Sequence, residues 1–172
     1  GGTPRQISSG NFQHDGESWL AASEAVWTPD RKYFLMSANR HADYEFDPLN
    51  SEVYEFSAAN GSVRALTDRK GPDSSPQVSP EGKLISYTGF DDRYQGYQVT
   101  RLYVMNRDGS GSHLLSSNPD VAVMEHRWAP DGSGIGLHAA RGLVEAMGGG
   151  VRLEGVLGLG TSVIVTLPAE GA

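Results

Sequence analysis

The chain has 172 residues, a net charge of −7 at neutral pH, 22 glycines and no cysteine. The acidic balance argues against nucleic acid and anionic membranes as partners, because both bind a basic face. Without cysteine, the chain has no disulfide, no thiolate nucleophile and no cysteine-based zinc site. The glycine content favours a turn-rich β protein, and the length suits one ordinary domain or two small ones.

Residues 1–24 are mostly polar and small, with little periodicity, and predict a loop-rich lead-in. They lack the charged-then-apolar pattern of a secretory signal. Further along, no apolar run approaches the roughly 20 residues that cross a bilayer. We therefore expect a soluble chain with no visible signal peptide or transmembrane segment, and the sequence indicates no compartment.

A motif then recurs at a step of about fifty residues. Trp-Thr-Pro-Asp at 27–30, Val-Ser-Pro-Glu at 78–81 and Trp-Ala-Pro-Asp at 128–131 carry it. The first two copies are followed by apolar, strand-like runs at 33–37 and 83–87. Each copy therefore predicts a turn that opens a strand, and regular spacing of this size indicates repeated structural units.

A second pair of signals keeps the same step. Asn60–Gly61 and Asp108–Gly109 each separate two alternating strand-like runs. Such dipeptides are strong hairpin signals, because both turn positions need a positive φ. The pattern predicts four-stranded propeller-type blades at 25–70 and 74–117, with the start of a third at 126–131.

Residues 25 to about 132 resemble the β-propeller of prolyl-oligopeptidase-type (S9) peptidases and the related TolB-like, WD40-like repeats. The resemblance is carried by the W-x-P-D turns at Trp27 and Trp128, by S-P-E-G-K at 79–83 and by L-Y-V-M-N-R-D-G-S at 102–110. In S9 peptidases the propeller filters access to a separate α/β-hydrolase domain. The chain has no Gly-x-Ser-x-Gly nucleophile elbow, so no serine-hydrolase triad is predicted.

The acidic stretch 41–47 is a candidate metal site. If it is a strand, its period of two places four potential ligands on one side, and oxygen ligands with one imidazole suit a divalent cation. These residues are His41, Asp43, Glu45 and Asp47. The favoured alternative is a solvated strand face or an acidic loop.

From Gly132 the pattern changes. Glycines at 132, 134 and 136 precede a helical stretch, Leu137–Gly148, whose apolar residues recur at helical spacing. Gly148 to Gly150 would end that helix, and strands at 151–155 and 162–167 follow as a hairpin. The expected fold class is therefore mainly β with one α-helix: two or more four-stranded blades, then a helix and a β-hairpin as an α+β tail.

Residues 132–172 resemble the C-terminal part of the ATP-binding domain of sensor histidine kinases. G-S-G-I-G-L matches that family's second glycine box, A-R-G-L-V-E-A-M-G-G its next helix and G-L-G-T-S-V-I-V-T-L-P its closing hairpin. The resemblance implies a phosphate site and a nearby base site, lined by Gly132, Gly134, Gly136 and Leu137 and by Gly160 and Thr161. The family's Asn-bearing helix and its Asp-x-Gly-x-Gly adenine box do not occur in this sequence. ATP is therefore not expected, and the favoured alternative is a flexible turn with a packed helix.

Three residues are candidates for general acid–base or zinc chemistry. Glu125 and His126 lie just before the third repeat turn, and His138 lies one residue into the predicted helix. A hydrolytic site would need these side chains to converge. No histidine pair has the spacing of a His-Glu-x-x-His zinc motif, so scattered surface or hydrogen-bonded histidines are the favoured interpretation.

Together these patterns predict a chimera, with an incomplete propeller fragment at 25–131 and a histidine-kinase-type fragment at 132–172. We expect a structural or binding module without complete catalytic machinery and without a cofactor. It would associate with itself as two to four copies, because open strand edges and apolar patches are costly to leave in water. The alternatives are a small hydrolase, acid–base or assisted by a divalent cation, and a weak nucleotide binder acting through 132–137.

Overall fold

The computed structural model describes residues 2–7, 25–116, 122–123, 125–137, 150–156 and 160–166. All regular elements within these ranges are β-strands, paired antiparallel, so the mainly-β expectation is confirmed and the expected α-helix is not observed. The predicted helix Leu137–Gly148 lies outside the described residues except for Leu137, which ends a strand. No helix in the described part of the chain is long and apolar enough to cross a membrane.

The chain divides into two compact units, Gly1–Ala122 and Val123–Ala172. The first unit contains two four-stranded antiparallel sheets, each with its strands in chain order. The sheet called blade 1 consists of β1 (Val26–Trp27), β2 (Tyr33–Ala38), β3 (Glu52–Ser57) and β4 (Val63–Ala65). The sheet called blade 2 consists of β5 (Asp73–Val78), β6 (Leu84–Gly89), β7 (Arg101–Asn106) and β8 (His113–Leu114).

The second unit contains two separate hairpins. β9 (His126–Trp128) pairs with β10 (Ile135–Leu137), and β11 (Gly150–Val156) pairs with β12 (Gly160–Thr166). The β11–β12 pair corresponds to the hairpin predicted for the tail, with slightly longer strands. The β9–β10 hairpin runs through position 131/132, where the sequence suggested a junction between two unlike fragments.

The recurring x-Pro-Asp or x-Pro-Glu turn closes the first hairpin of all three repeats in the same way. In each turn a backbone N–H donates to the carbonyl five residues on, from Thr28 to Tyr33, Ser79 to Leu84 and Ala129 to Gly134, at 3.0, 2.9 and 2.8 Å. Three residues after each donor, the chain takes a left-handed conformation at Arg31, Gly82 and Gly132, with φ of 58, 74 and 73°. Glycine tolerates this conformation best, and it fills two of the three positions.

The main core lies between the two blades. Alternate residues of each strand point to opposite faces of a sheet, so every second residue of β2, β3, β6 and β7 faces the neighbouring blade. The buried residues of this core are Leu35, Val53, Leu66, Ile85, Tyr87 and Met105. Burying a side chain of this size contributes roughly 1.5–3 kcal/mol to the free energy of unfolding. The core therefore joins the blades into one folding unit.

Candidate functional site

The stretch 41–47, for which the sequence left a strand and an acidic loop open, forms a turn, so its acidic residues do not lie along one side of a strand. The side chain of Asn39 holds this turn at both ends: its oxygen accepts the N–H of His41 at 3.2 Å, and its amide donates to the carbonyl of Asp47 at 2.8 Å. The N–H of Asp47 also donates to the carbonyl of Asp43 at 3.0 Å. Such local bonds offer the backbone an alternative to a sheet ladder.

The four candidate metal ligands of this stretch are dispersed. Nε2 of His41 lies 3.3 Å from Oε1 of Glu52, and Oδ2 of Asp47 lies 3.4 Å from Nζ of Lys70. The other two, Asp43 and Glu45, are exposed. Among the described residues, no three histidine or acidic side chains are placed to hold one metal ion.

The acid–base candidates lie at the start of β9. His126 is 4 % exposed and Glu125 is exposed. Neighbouring residues of an extended chain point to opposite sides, so the structure does not bring these two side chains together. The third candidate, His138, lies outside the described residues.

The glycine box forms a β-hairpin. Gly132 and Gly134 belong to the turn between β9 and β10, and Gly136 and Leu137 lie in β10 opposite Arg127 and His126. These residues complete the third copy of the x-Pro-Asp turn, and the predicted helix after Leu137 lies outside the described residues. Gly160 and Thr161 open β12, opposite Val156 and Gly155.

One buried acid of the seam between the blades is Glu52, which is 2 % exposed. Its Oε2 accepts a hydrogen bond from the hydroxyl of Thr67 at 2.5 Å. The hydroxyl oxygen of Thr67 in turn accepts a hydrogen bond from the N–H of Val53 at 3.0 Å. Burial, with the nearby carboxylate of Asp73, raises the pKa of Glu52 to about 8. Glu52 therefore carries a proton at neutral pH.

A second buried acid, Asp73, ties blade 2 to blade 1. Its side chain is fully buried and pairs with Nη2 of Arg69. Its N–H donates to the carbonyl of Ser51 at 2.8 Å, and its carbonyl accepts the hydroxyl of Ser37 at 2.9 Å. Burial raises the pKa of Asp73 to about 6, against the opposing effect of Arg69. The guanidinium also lies 4.0 Å above the ring of Tyr103, so it joins the seam to β7.

At the end of the blades that carries the hairpin turns, an open cavity of about 690 Å³ lies between the two blades. Its floor is Glu55, which is 8 % exposed. One oxygen of Glu55 lies 2.9 Å from Nη2 of Arg64, and the other pairs with Arg107. Its rim includes Asp30 and Lys83. The charges of the floor are thus already paired with one another.

The opposite end carries the three longer connections, 39–51, 66–72 and 90–100, and is called the loop end here. Three large aromatic side chains are exposed on it: Phe46 by 90 %, Tyr94 by 75 % and Tyr97 by 78 %. These side chains have no partner in the core, so they are available to a ligand. Sequence reasoning missed them as a site, although aromatic residues in an acidic turn were a visible signal.

Sequence reasoning also missed the buried acids. Glu52 begins β3 and Asp73 begins β5, but nothing in the local pattern distinguishes them from solvated charges at strand ends. Their burial depends on the neighbouring blade, which lies at long sequence separation. For Glu55 the sequence holds a weak indication of its position, because Glu55 alternates with Tyr54 and Phe56 and must therefore face the other side of β3.

Comparison with known proteins supports propeller-type blades. The chain is 29 % identical over 131 residues to the Tol-Pal system protein TolB of Francisella tularensis, which covers 72 % of this chain and 28 % of TolB. It is 26 % identical over 140 residues to dipeptidyl-peptidase 5 of Porphyromonas gingivalis, covering 77 % of this chain and 20 % of the peptidase. The chain thus spans less than a third of these curated relatives. No protein-family model matches it.

Two solved structures show the same fold. A structure described as TolB from Agrobacterium tumefaciens superposes with a TM-score of 0.52 at 19 % identity, over 66 % of this chain and 37 % of that one. An oligogalacturonate lyase in complex with manganese superposes with a TM-score of 0.57 at 12 % identity, over 95 % and 42 %. The TolB-like and S9-type resemblance of residues 25 to about 132 is confirmed at the level of the propeller. No histidine kinase is among these proteins, and the resemblance of 132–172 to that family stays a prediction.

Proposed function

We propose that the chain works as a binding module built from β-propeller blades, with no chemistry of its own. The observation that carries this proposal is the contrast between the two ends of the blades. At the hairpin-turn end the charged groups neutralise each other around Glu55, whereas the loop end leaves Phe46, Tyr94 and Tyr97 exposed. Exposed aromatic side chains are typical of surfaces that recognise a ligand.

The buried acids support a structural role. A general acid or base must come within hydrogen-bond distance of its substrate. Glu52 and Asp73 are 2 % and 0 % exposed, and Glu55 is held by two arginines. These carboxylates hold strands and blades together: Glu52 and Asp73 are buried, and both oxygens of Glu55, at the floor of the open cavity, are taken by arginines.

Association between copies is part of the proposal. Trp27 is 52 % exposed on β1 and Leu114 is 45 % exposed on β8, and each lies on a strand at the edge of its sheet. An apolar side chain on an open edge is a natural contact for a second copy. We expect two to four copies by light scattering, and Trp27→Glu should shift the mass toward the monomer. If the parent chain has the mass of a monomer at all concentrations, the proposed association between copies is wrong.

Turnover assays test the proposal against a hydrolase. We expect no hydrolysis of chromogenic esters or peptides, with or without EDTA, and no difference between the parent chain and His126→Ala. Hydrolysis that is lost on adding EDTA, or lost in His126→Ala while the fold is retained, would contradict the binding-module proposal and support a metal-assisted or acid–base enzyme.

A further inference from the structure

The exposed aromatic residues of the loop end belong to both blades. Phe46 lies on the connection from β2 to β3, and Tyr94 and Tyr97 lie on the connection from β6 to β7. Aromatic side chains of this size normally bury most of their surface, because their transfer from water is strongly favourable. Three of them are 75–90 % exposed on one end of the first unit, so covering this surface with a ligand would be energetically favourable.

Lys70 joins the two loops and shows what this surface binds. Its ammonium nitrogen lies 4.8 Å from the centroid of the Tyr94 ring and 3.4 Å from Oδ2 of Asp47, the neighbour of Phe46. Tyr94, through its ring and its hydroxyl, and a carboxylate thus hold one cation between them. This is the geometry of a cation–π contact reinforced by an ion pair.

The exposed carboxylates of the first loop have the sign of charge that attracts further cations. Asp43 and Glu45 flank the aromatic residues of the first loop and are exposed, and no cation of the described residues forms an ion pair with either of them. The chain as a whole carries a net charge of −7. Exposed carboxylates act over roughly 10 Å at moderate salt, so they draw a cationic ligand toward the rings.

The second loop is held in place by its own side chains. Oδ1 of Asp92 accepts the N–H of Tyr94 and the amide of Gln98, both at 2.8 Å, and Oε1 of Gln98 accepts the N–H of Arg93 at 3.0 Å. These bonds fix the backbone from which Tyr94 projects. A ligand that binds a fixed loop loses less conformational entropy than one that must order it.

We propose that the loop end binds a lysine- and arginine-rich polypeptide segment of a partner protein, through the rings of Phe46, Tyr94 and Tyr97 and the carboxylates of Asp43 and Glu45. This inference rests on the proposed binding function and names its partner class. A neutral oligosaccharide also binds exposed aromatic rings, but it makes no use of the exposed carboxylates of Asp43 and Glu45 or of the cation geometry at Tyr94.

The test is a fluorescence anisotropy titration with a short labelled peptide that alternates arginine and glycine. Tyr97→Leu, which removes the ring, should weaken binding about two- to five-fold, whereas Tyr97→Phe, which keeps it, should bind as the parent chain does. Glu45→Gln should weaken binding at low salt. Its control is Glu81→Gln, the same change of charge at the hairpin-turn end, which should have little effect.

Lys70→Ala should strengthen peptide binding, whereas Tyr97→Leu and Glu45→Gln should weaken it. Removing this lysine frees the face of Tyr94 and the carboxylate of Asp47, so the peptide should bind more tightly. Lys83→Ala makes the same change in net charge at the other end, where Lys83 lies 3.5 Å from Glu81. We expect the gain in affinity from Lys70→Ala to exceed that from Lys83→Ala several-fold.

Several outcomes would overturn the inference. Equal losses in Glu45→Gln and Glu81→Gln, or equal gains in the two lysine variants, would show that net charge alone attracts the peptide. Unchanged peptide binding in Tyr97→Leu would show that the ring of Tyr97 takes no part in binding. Binding of a neutral oligosaccharide in place of the peptide would overturn the partner class and leave the binding module standing. Cleavage of the peptide would instead overturn the proposed function.

Discussion

Glu52→Gln should remove the main pH dependence of stability above neutral pH. Burial raises the pKa of Glu52 from its usual value of 4.5 to about 8. The folded chain therefore holds this proton more tightly than the unfolded chain. The resulting stabilisation is fully present below pH 4.5 and is lost as the pH rises through 8.

The magnitude follows from the same shift. One pKa unit corresponds to about 1.4 kcal/mol, so the full interval would give about 5 kcal/mol. Most of this is lost below neutral pH, because the stabilisation declines as the pH rises from 4.5 toward 8. We expect the free energy of unfolding of the parent chain to fall by about 1.4 kcal/mol between pH 7 and pH 9.

Urea unfolding of the parent chain and of Glu52→Gln, followed by tryptophan fluorescence across this interval, measures the effect. Asp73 titrates at about pH 6, so the window above neutral pH isolates Glu52. Glutamine keeps the shape and an oxygen for the hydroxyl of Thr67, and it cannot ionise. Its stability should therefore change little with pH. Parallel pH profiles for the two proteins would refute the assignment of a buried, protonated Glu52.

Two further substitutions test the seam and the fold. Asp73→Asn leaves Arg69 without its buried carboxylate and should lower the free energy of unfolding by about 2–4 kcal/mol, measured by urea unfolding at neutral pH. A loss below about 0.5 kcal/mol would show that this ion pair does not hold the blades together. Gly89→Ala places a Cβ against the carbonyl of Pro72 and should destabilise the chain by about 1–3 kcal/mol, whereas Gly96→Ala meets no atom within 4 Å and should be nearly neutral. Similar melting temperatures for the two alanine variants would contradict the packing of β5 against β6.

The blades could be predicted from the sequence because their signals are local. At Asn60–Gly61 and Asp108–Gly109 the turns form as expected, although φ is positive only at the glycines, 74° at Gly61 and 92° at Gly109, and not at both positions. The recurring x-Pro-Asp turn similarly sets the start of each unit. Such turns depend on the conformations of a few adjacent residues, which a sequence states directly.

The glycine box illustrates the limit of this reasoning. Pro-Asp-Gly-Ser-Gly at 130–134 fits both a phosphate-binding loop and the third copy of the blade turn. The structure has the hairpin, with the bond from Ala129 to Gly134 that the first two turns also make. Because a short glycine-rich motif specifies a flexible backbone and not its context, the repeat at a step of about fifty residues was the stronger evidence.

The functional surface could be predicted only in part. The acidic, aromatic composition of 41–47 is visible in the sequence, which left a strand and a loop open, and the hydrogen bonds of Asn39 hold the stretch in a turn. The contact of Lys70 with both Asp47 and Tyr94 joins three connections that are far apart in the chain. Such juxtapositions depend on how the blades pack, and no local pattern encodes them.

The central claim is that this chain binds a ligand without transforming it. One experiment tests it directly: the labelled arginine–glycine peptide is incubated with the protein, its anisotropy is followed, and the recovered peptide is analysed by mass spectrometry. We predict a reversible rise in anisotropy that salt diminishes, and an intact peptide. A cleaved peptide would contradict the claim, and so would the absence of binding to both this peptide and a neutral oligosaccharide.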